Sequence, residues 1–229
     1  MRVAVLTGAG ISAESGVPIF RGEEGLWRSF KPEDLATPQA FKRNPVLVWE
    51  WYLWRRDIIA KTKPNNGHKL LVELEEKLGD DFLLITQNVD GLHQRAGSKR
   101  IVELHGNIWR VRCLNCHILY YDYQEEYEKL PPTCKRCGGL LRPDVVWFGE
   151  SLPEDNLERA VQWVESCHVL VSVGTSGLVY PAGYLPFLAK KIGAKVVEVN
   201  LEETPVSPIA HVIIREPASV GLKKLLEIL

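Results

Sequence analysis

The chain has 229 residues, 45% of them hydrophobic and 25% charged, with a formal net charge of −1. That length suits one large domain, or a large domain carrying a small one, and the near-neutral total gives no electrostatic reason to propose nucleic acid or anionic membrane as the main partner. No stretch approaches the ~20 apolar residues of a membrane span and the N-terminal apolar run is too short for a signal peptide, so the protein is expected to be soluble and cytoplasmic.

Val3 to Leu6 reads as a short buried strand running into Thr7-Gly8-Ala9-Gly10-Ile11-Ser12-Ala13. This fits the Gly-x-Gly-x-x-Gly/Ala turn, whose glycines let backbone N–H groups approach a pyrophosphate at a helix N-terminus. A plain dinucleotide-binding unit would place an acidic residue about 20 positions on, at the end of a second strand; here residues 8–81 intervene before the next apolar strand. The insertion opens with a Gly/Pro-punctuated loop carrying Phe20 and Arg21, which reads as a lid over the phosphate turn. Pro45 to Lys61 is predicted helical, with Asn44 as cap and Pro45 at the first position. Val48, Tyr52, Arg55 and Ile59 share one face of it. An arginine and a phenol three residues apart on an apolar face can bind a carboxylate, the guanidinium doing so bidentately. The competing reading is an arginine snorkelling beside a tyrosine on a Trp-rich surface helix. Asn66 to Leu78 forms a second amphipathic helix, with Gly79 as its stop.

Two strand ends then present chemistry side by side. The apolar run Phe82 to Ile85 ends in Thr86, Gln87, Asn88 and Asp90, and Ile101 to Leu104 ends in His105. Open α/β sheets bind ligands beyond the carboxyl ends of their strands, so the active site is placed here. Downstream, Cys113-x-x-Cys116 is followed after seventeen residues by Cys134-x-x-Cys137. This is the spacing of a four-cysteine zinc ribbon, and four protein ligands leave no open position for a catalytic water, so the zinc is expected to be structural. Cys167, before an apolar strand, reads as a small buried core residue. The chain then returns to α/β alternation: Val145 to Phe148 as a short apolar segment, Pro153 to Glu165 helical, Val169 to Val173 a strand ending in Gly174-Thr175-Ser176. Pro181 to Lys191 reads as a helix, Val196 to Val199 as a strand ending at Asn200, Val212 to Ile214 as a strand and Val220 to Leu229 as the last helix.

In their order and over nearly the whole chain, these motifs resemble the sirtuins, NAD-dependent protein-lysine deacylases. The matching residues are GAGISAESGVPIFRG (Gly8 to Gly22), TQNVDGLH (Thr86 to His93), ELHG (Glu103 to Gly106), the paired Cys-x-x-Cys, RPDVVWFGE (Arg142 to Glu150), GTS (Gly174 to Ser176) and EVN (Glu198 to Asn200). The resemblance implies an α/β fold: a Rossmann-like parallel-sheet part, approximately residues 1–30, 80–106 and 143–229, with a smaller domain inserted as a helical piece (31–79) and a zinc ribbon (107–142). It implies NAD as co-substrate, held by Gly8, Ala9, Gly10, Ser12, Ala13, Phe20, Arg21 and Trp27. Gln87 would meet the nicotinamide ribose, Asn88 and Asp90 the nicotinamide carboxamide, and Gly174, Thr175, Ser176, Asn200, Leu201 and Ala218 the adenosine half. The acyl oxygen of the lysine substrate would attack the ribose carbon as nicotinamide leaves, with His105 as general base on a ribose hydroxyl, giving free lysine, nicotinamide and O-acyl-ADP-ribose. Val145, Val146, Trp147 and Phe148 would pair with the substrate peptide as an added strand. Tyr52 and Arg55 resemble the Tyr-x-x-Arg pair of the branch that removes succinyl, malonyl or glutaryl groups, so acidic acyl groups are expected beside acetyl. Pro32, in the loop before that helix, and Gly177, after Gly-Thr-Ser, depart from the family pattern. The protein is expected to be a monomer acting on acyl-lysine proteins or peptides.

Three rival readings differ in class. An NAD or ADP-ribose binding module would have no use for a base at the position of His105. A protein ADP-ribosyltransferase would use the same cofactor cleavage. A zinc-ribbon nucleic-acid protein is disfavoured by the acidic, aromatic segment Tyr120 to Glu128.

Overall fold

The computed structural model describes residues 1–20, 25–26 and 29–227. β1 (Val3–Thr7) is buried at every position, the continuous apolar run of a strand covered on both faces. The chain leaves it through the short helix α1 (Ala9–Ala13) and later builds α2 (Pro32–Leu35), α3 (Pro38–Arg43) and α4 (Pro45–Ala60). The last three each carry a proline in the first turn, where its missing N–H is not needed. Thr37 and Asn44 cap α3 and α4 by accepting from the backbone N–H of Ala40 and Leu47. α5 (Asn66–Leu78) opens with a reciprocal cap, in which the Asn65 side chain accepts from the His68 N–H while His68 Nδ1 accepts from the Asn65 N–H. Then follow β2 (Phe82–Thr86), α6 (Leu92–Ala96), β3 (Ile101–Glu103), β4 (Gly106–Cys113), β5 (Leu119–Tyr121) and β6 (Leu141–Val145). α7 (Glu154–Val164), β7 (Val169–Val173), α8 (Leu185–Lys191), β8 (Lys195–Val199), β9 (Val212–Ile214) and α9 (Ala218–Leu226) complete the chain.

Six strands form a parallel sheet in the order β3-β2-β1-β7-β8-β9. The chain moves outward from β1 to one side and returns on the other, so the topological switch point lies between β1 and β7. In open sheets that is where a crevice forms beyond the strand ends. α5 and α9 cover one face, packing Leu71, Leu74, Leu222 and Leu225 on Val3, Val5 and Leu84. α7 and α8 cover the other, packing Ala160, Val164, Leu185 and Ala189 on Ala4, Leu6 and Ile85.

The smaller sheet is antiparallel, in the order β5-β4-β6, and shares an aromatic core with α4 that includes Trp49, Trp51, Tyr52, Ile108, Trp109 and Trp147. Arg56 joins the two: fully buried, it donates to the Ile108 carbonyl at 2.9 Å and the Gln124 carbonyl at 2.7 Å. The fold is the expected α/β class with a small second sheet. Two particulars differ from the sequence expectation. α5, counted with the helical insertion, buries its apolar stripe in the large-sheet core, and Pro32, expected in a loop, starts α2. Among the described residues no helix is long and apolar enough to cross a membrane.

Candidate active site

A cavity of about 570 Å³ lies beyond the carboxyl ends of β1, β2, β7 and β8. One part of its wall is Gly8, Ala9, Gly10, Ala13, Phe20, Gln87 and Asn88, facing Gly174, Thr175, Ser176, Asn200 and Leu201. The other part is Tyr52, Arg55, His105 and the run Val145, Val146, Trp147 and Phe148. The turn after β1 and the turn after β7 touch backbone to backbone. A Cβ on Gly10 would stand 2.7 Å from Gly174 Cα, and Gly174 itself has φ +57, so both positions need glycine. Gly10 N donates to the Gly174 carbonyl at 2.8 Å, Gln87 Nε2 to Thr175 Oγ1 at 2.8 Å, and Asn200 Nδ2 to the Thr175 carbonyl at 2.9 Å. The two halves of the sheet thus meet in a polar floor whose hydrogen bonds lock one turn to the other.

Behind this wall lies a buried chain of polar groups. Asn88 Nδ2 donates to the Gly8 carbonyl at 3.0 Å and to Ser12 Oγ at 3.2 Å, and Ser12 Oγ donates to Asp90 Oδ2 at 2.7 Å. Asp90 Oδ1 accepts from the Leu92 N–H at 2.8 Å. Since His68 Nδ1 accepts from a backbone N–H, its Nε2 carries the hydrogen and turns it toward Ser12 Oγ, 3.4 Å away. Burial lowers the His68 pKa to about 4. His93, whose ring centroid is 4.9 Å from that of His68, is pushed well below the ordinary value, by burial first and then by His68. Both rings are therefore neutral. Burial raises the Asp90 pKa, opposed by the hydrogen bonds from Leu92 and Ser12.

His105 sits where the chain passes from β3 to β4, between the two sheets. Its Nδ1 lies 3.1 Å from the Gln87 carbonyl, which can only accept, so Nδ1 carries the hydrogen and Nε2 keeps its lone pair. Burial lowers its pKa, and the Gln87 bond opposes this. The connection is braced by Glu103, which accepts from Gln94 Nε2 and Asn107 Nδ2, both at 2.6 Å, and pairs with Arg110 at 2.8 Å.

At the other end Arg55 is 6% exposed, its guanidinium 4.7 Å from the Phe20 ring centroid and 4.9 Å from that of Trp51. Among the described residues no carboxylate forms an ion pair with it and no side chain or carbonyl accepts its hydrogens. Burial lowers the Arg55 pKa, opposed by the neighbouring Tyr52 and Asp90, and a guanidinium stays ionised. In the run from Val145 to Phe148 the backbone donors are engaged: Val146 N–H to the His105 carbonyl, Trp147 N–H to Glu150 Oε2 and Phe148 N–H to the Ala36 carbonyl. A peptide laid along this run therefore finds the N–H groups of Val146, Trp147 and Phe148 already bonded, which differs from a fully open strand edge.

The model of the Sir2 family matches residues 8–181. The chain belongs to this family, the sirtuins. Over 229 residues it is 61% identical to an NAD-dependent protein deacylase of Aquifex aeolicus (strain VF5), covering 100% of this chain and 95% of the relative. A solved mutant Sir2 homologue in complex with ADP ribose superposes with a TM-score of 0.95 at 45% identity, over 99% of this chain and 90% of that one. A solved complex of Sir2 with p53 peptide and NAD+ gives 0.86 at 35% identity, over 99% and 92%. This sirtuin is an NAD-dependent protein deacylase, with NAD as its co-substrate.

Its metal site is formed as the cysteine spacing predicts. The four Sγ atoms of Cys113, Cys116, Cys134 and Cys137 lie within 4.8 Å of one another, with Cys113 to Cys137 at 3.5 Å and Cys116 to Cys134 at 3.8 Å. Sulfurs about 2.3 Å from a tetrahedral zinc stand about 3.8 Å apart, so the cluster fits a structural zinc ion. Cys113 Sγ also accepts from the N–H groups of Asn115 and Cys116 at 3.4 Å, the tight knuckle of a ribbon ligand.

Several residues of the sirtuin site fall elsewhere than expected. Ser12 and Asp90 are off the cavity wall, and both Asp90 oxygens are engaged, by Ser12 and Leu92, leaving the carboxylate behind the surface it was expected to form. Ala218 begins α9 and packs into the large-sheet core. Arg21 and Trp27 lie outside the described residues. Conversely, Thr7, His68 and His93 join Thr86, already named at its strand end, in the polar layer without having been singled out as site residues. Thr7 Oγ1 donates to Thr86 Oγ1 at 2.8 Å and lies 3.0 Å from His93 Nε2. Leu178, Val179, Tyr180, Glu202 and Glu203 also reach the cavity wall. Of the missed residues, His93 carried a signal as the last residue of the TQNVDGLH motif.

Proposed function

We propose that this sirtuin removes acyl groups from peptide lysines and that its acyl pocket accepts groups ending in a carboxylate, such as succinyl and malonyl, as well as acetyl. The observation that carries the acidic preference is Arg55, a buried guanidinium on the wall of the cavity that also holds His105, with no carboxylate partner among the described residues. A buried guanidinium that feels Asp90 only through space, with no direct ion pair among the described residues, is costly, and a distal acyl carboxylate would supply a bidentate partner. Tyr52 shares the same wall.

The other roles follow the chemistry of the groups in place. NAD, when bound, supplies the electrophilic ribose carbon from which nicotinamide departs as the acyl oxygen attacks. The glycine turns at Gly8 to Ala13 and Gly174 to Ser176, whose small residues let a ligand approach the backbone, suit its phosphates and adenosine half, with Phe20 covering them and Asn200 and Leu201 at the far wall. Gln87 reaches the ribose, and Asn88, oriented by Ser12 and Gly8, presents amide chemistry to a carboxamide. Asp90 acts one step back, fixing Ser12. His105 takes a proton from a ribose hydroxyl at Nε2, the nitrogen left open by the Gln87 bond. The peptide lies along Val145 to Phe148 on the cavity wall; that the family binds such substrates is seen in the related Sir2 solved with a p53 peptide.

The decisive experiment assays acetyl, propionyl, malonyl, succinyl and glutaryl peptides with NAD and compares wild type with Arg55→Met. Charged hydrogen bonds are worth about 1.5–3 kcal/mol, so the succinyl-to-acetyl ratio of kcat/KM should fall about 10- to 100-fold. An unchanged ratio would remove Arg55 from acyl selection.

A further inference from the structure

Trp147 lies in the segment that faces the peptide, yet its indole points away from solvent. It is 3% exposed, with the Arg142 guanidinium 3.5 Å from its ring centroid and the Phe41 ring 5.3 Å away. The ring is gripped by Arg142 and Phe41, and its one polar atom, Nε1, donates to Tyr52 Oη at 2.9 Å. An indole N–H can only donate, whereas a phenol both accepts and donates. The bond therefore occupies a lone pair of Tyr52 and leaves the phenolic hydrogen unspent. Among the described residues no group takes that hydrogen, and Tyr52 lines the cavity beside Arg55.

We infer that Trp147 is a positioning residue for acyl-group selection: by fixing Tyr52 Oη as acceptor, it directs the phenolic O–H into the cavity to donate to the distal carboxylate of an acidic acyl group. The inference rests on the acidic-acyl reading of this pocket. An acetyl group has no distal oxygen to receive that hydrogen, so the contribution is selective. The device is also tied to the peptide-facing loop. Arg142, which covers the indole, donates to both Glu150 oxygens, at 2.6 and 3.0 Å, and Glu150 in turn accepts from the Trp147 N–H at 2.8 Å. The residue that orients the phenol is thus held by the clamp that shapes the loop.

Trp147→Phe keeps an aromatic ring between Arg142 and Phe41 while removing the N–H together with the five-membered ring; the packing loss acts on both substrates alike, so the ratio isolates the N–H. The succinyl-to-acetyl ratio of kcat/KM is expected to fall about tenfold, Tyr52→Phe to give a similar fall, and the double variant to fall no further than either alone. A purely structural role would depress both substrates by one factor. An unchanged ratio, or two falls that multiply, overturns the inference. Arg55→Met assayed in parallel separates this from the parent reading, since only failure of that reading leaves its ratio unmoved. A second measurement is independent of acyl chemistry: in 3-fluorotyrosine-labelled protein, the Tyr52 fluorine resonance, assigned by Tyr52→Phe, should shift in Trp147→Phe and titrate at higher pH. A stationary resonance overturns the indole–phenol bond. A shifted resonance in an enzyme without acidic-acyl activity removes the role in selection, which also overturns the inference.

Discussion

His105 combines two features that set how activity responds to pH. Its Nδ1 hydrogen is committed to Gln87, and burial lowers its pKa from the ordinary 6.5. A base must be unprotonated, so kcat/KM should stay level as pH falls through 7 and decline only below pH 6.5, once the lowered pKa is reached. His105→Ala should abolish that acid limb and cost about 10²–10⁴-fold in kcat/KM; a limb with the same midpoint in the residual activity would assign it to another group. At this scale the sequence was informative where a motif names one atom's task, as at His105 and the four cysteines. It was less so at Asp90. A carboxylate at a strand end looks the same in sequence whether its oxygens face the ligand or are spent on Ser12 and Leu92, because the partners lie 78 and 2 residues away.

Among the elements, the strands of the large sheet were legible because burial on both faces demands unbroken apolar runs. α4 was legible from its cap and its shared face. α2 and α3 were not, since helices of 4 and 6 residues carry too few turns for a periodic signal. α5 was found as a helix but its partner was not, because an apolar stripe does not say which core it joins. The zinc ribbon is an element whose stability depends on its metal. Metal analysis should return about one zinc per chain, and Cys134→Ser should lower Tm by roughly 6–12 °C. Cys167→Ala, which removes another buried thiol outside the cluster, should cost roughly 2–4 °C. Equal losses would mean that the cluster contributes no metal-dependent stability.

For the molecule as a whole, the two buried imidazoles link folding to pH. His68 has a pKa of about 4 when folded against 6.5 as the ordinary value. The unfolded chain therefore takes up a proton first as pH falls. The contribution is complete above pH 6.5 and is lost progressively toward pH 4, amounting to about 3 kcal/mol from His68 alone. His93 acts in the same direction, while Asp90, with its raised pKa, works against it. The denaturant midpoint should drop between pH 7 and pH 4.5, and His68→Gln should flatten the slope; a midpoint constant over that range would show that both states take up protons alike, so that burial does not lower the imidazole pKa values in the folded chain. The shortest link between the sheets is also the tightest: Leu104 and His105 are the only residues between β3 and β4, and Gly106 turns there with φ +82, so close to Asp144 that a Cβ would stand 2.0 Å from its carbonyl oxygen. A lever moves least at its fulcrum. Were the small sheet to pivot on the large one there, His105, tied through Nδ1 to Gln87, would hold station while Tyr52 and Arg55, out on α4, swung through the longer arc, so that admitting a bulkier acyl group need not misalign the base.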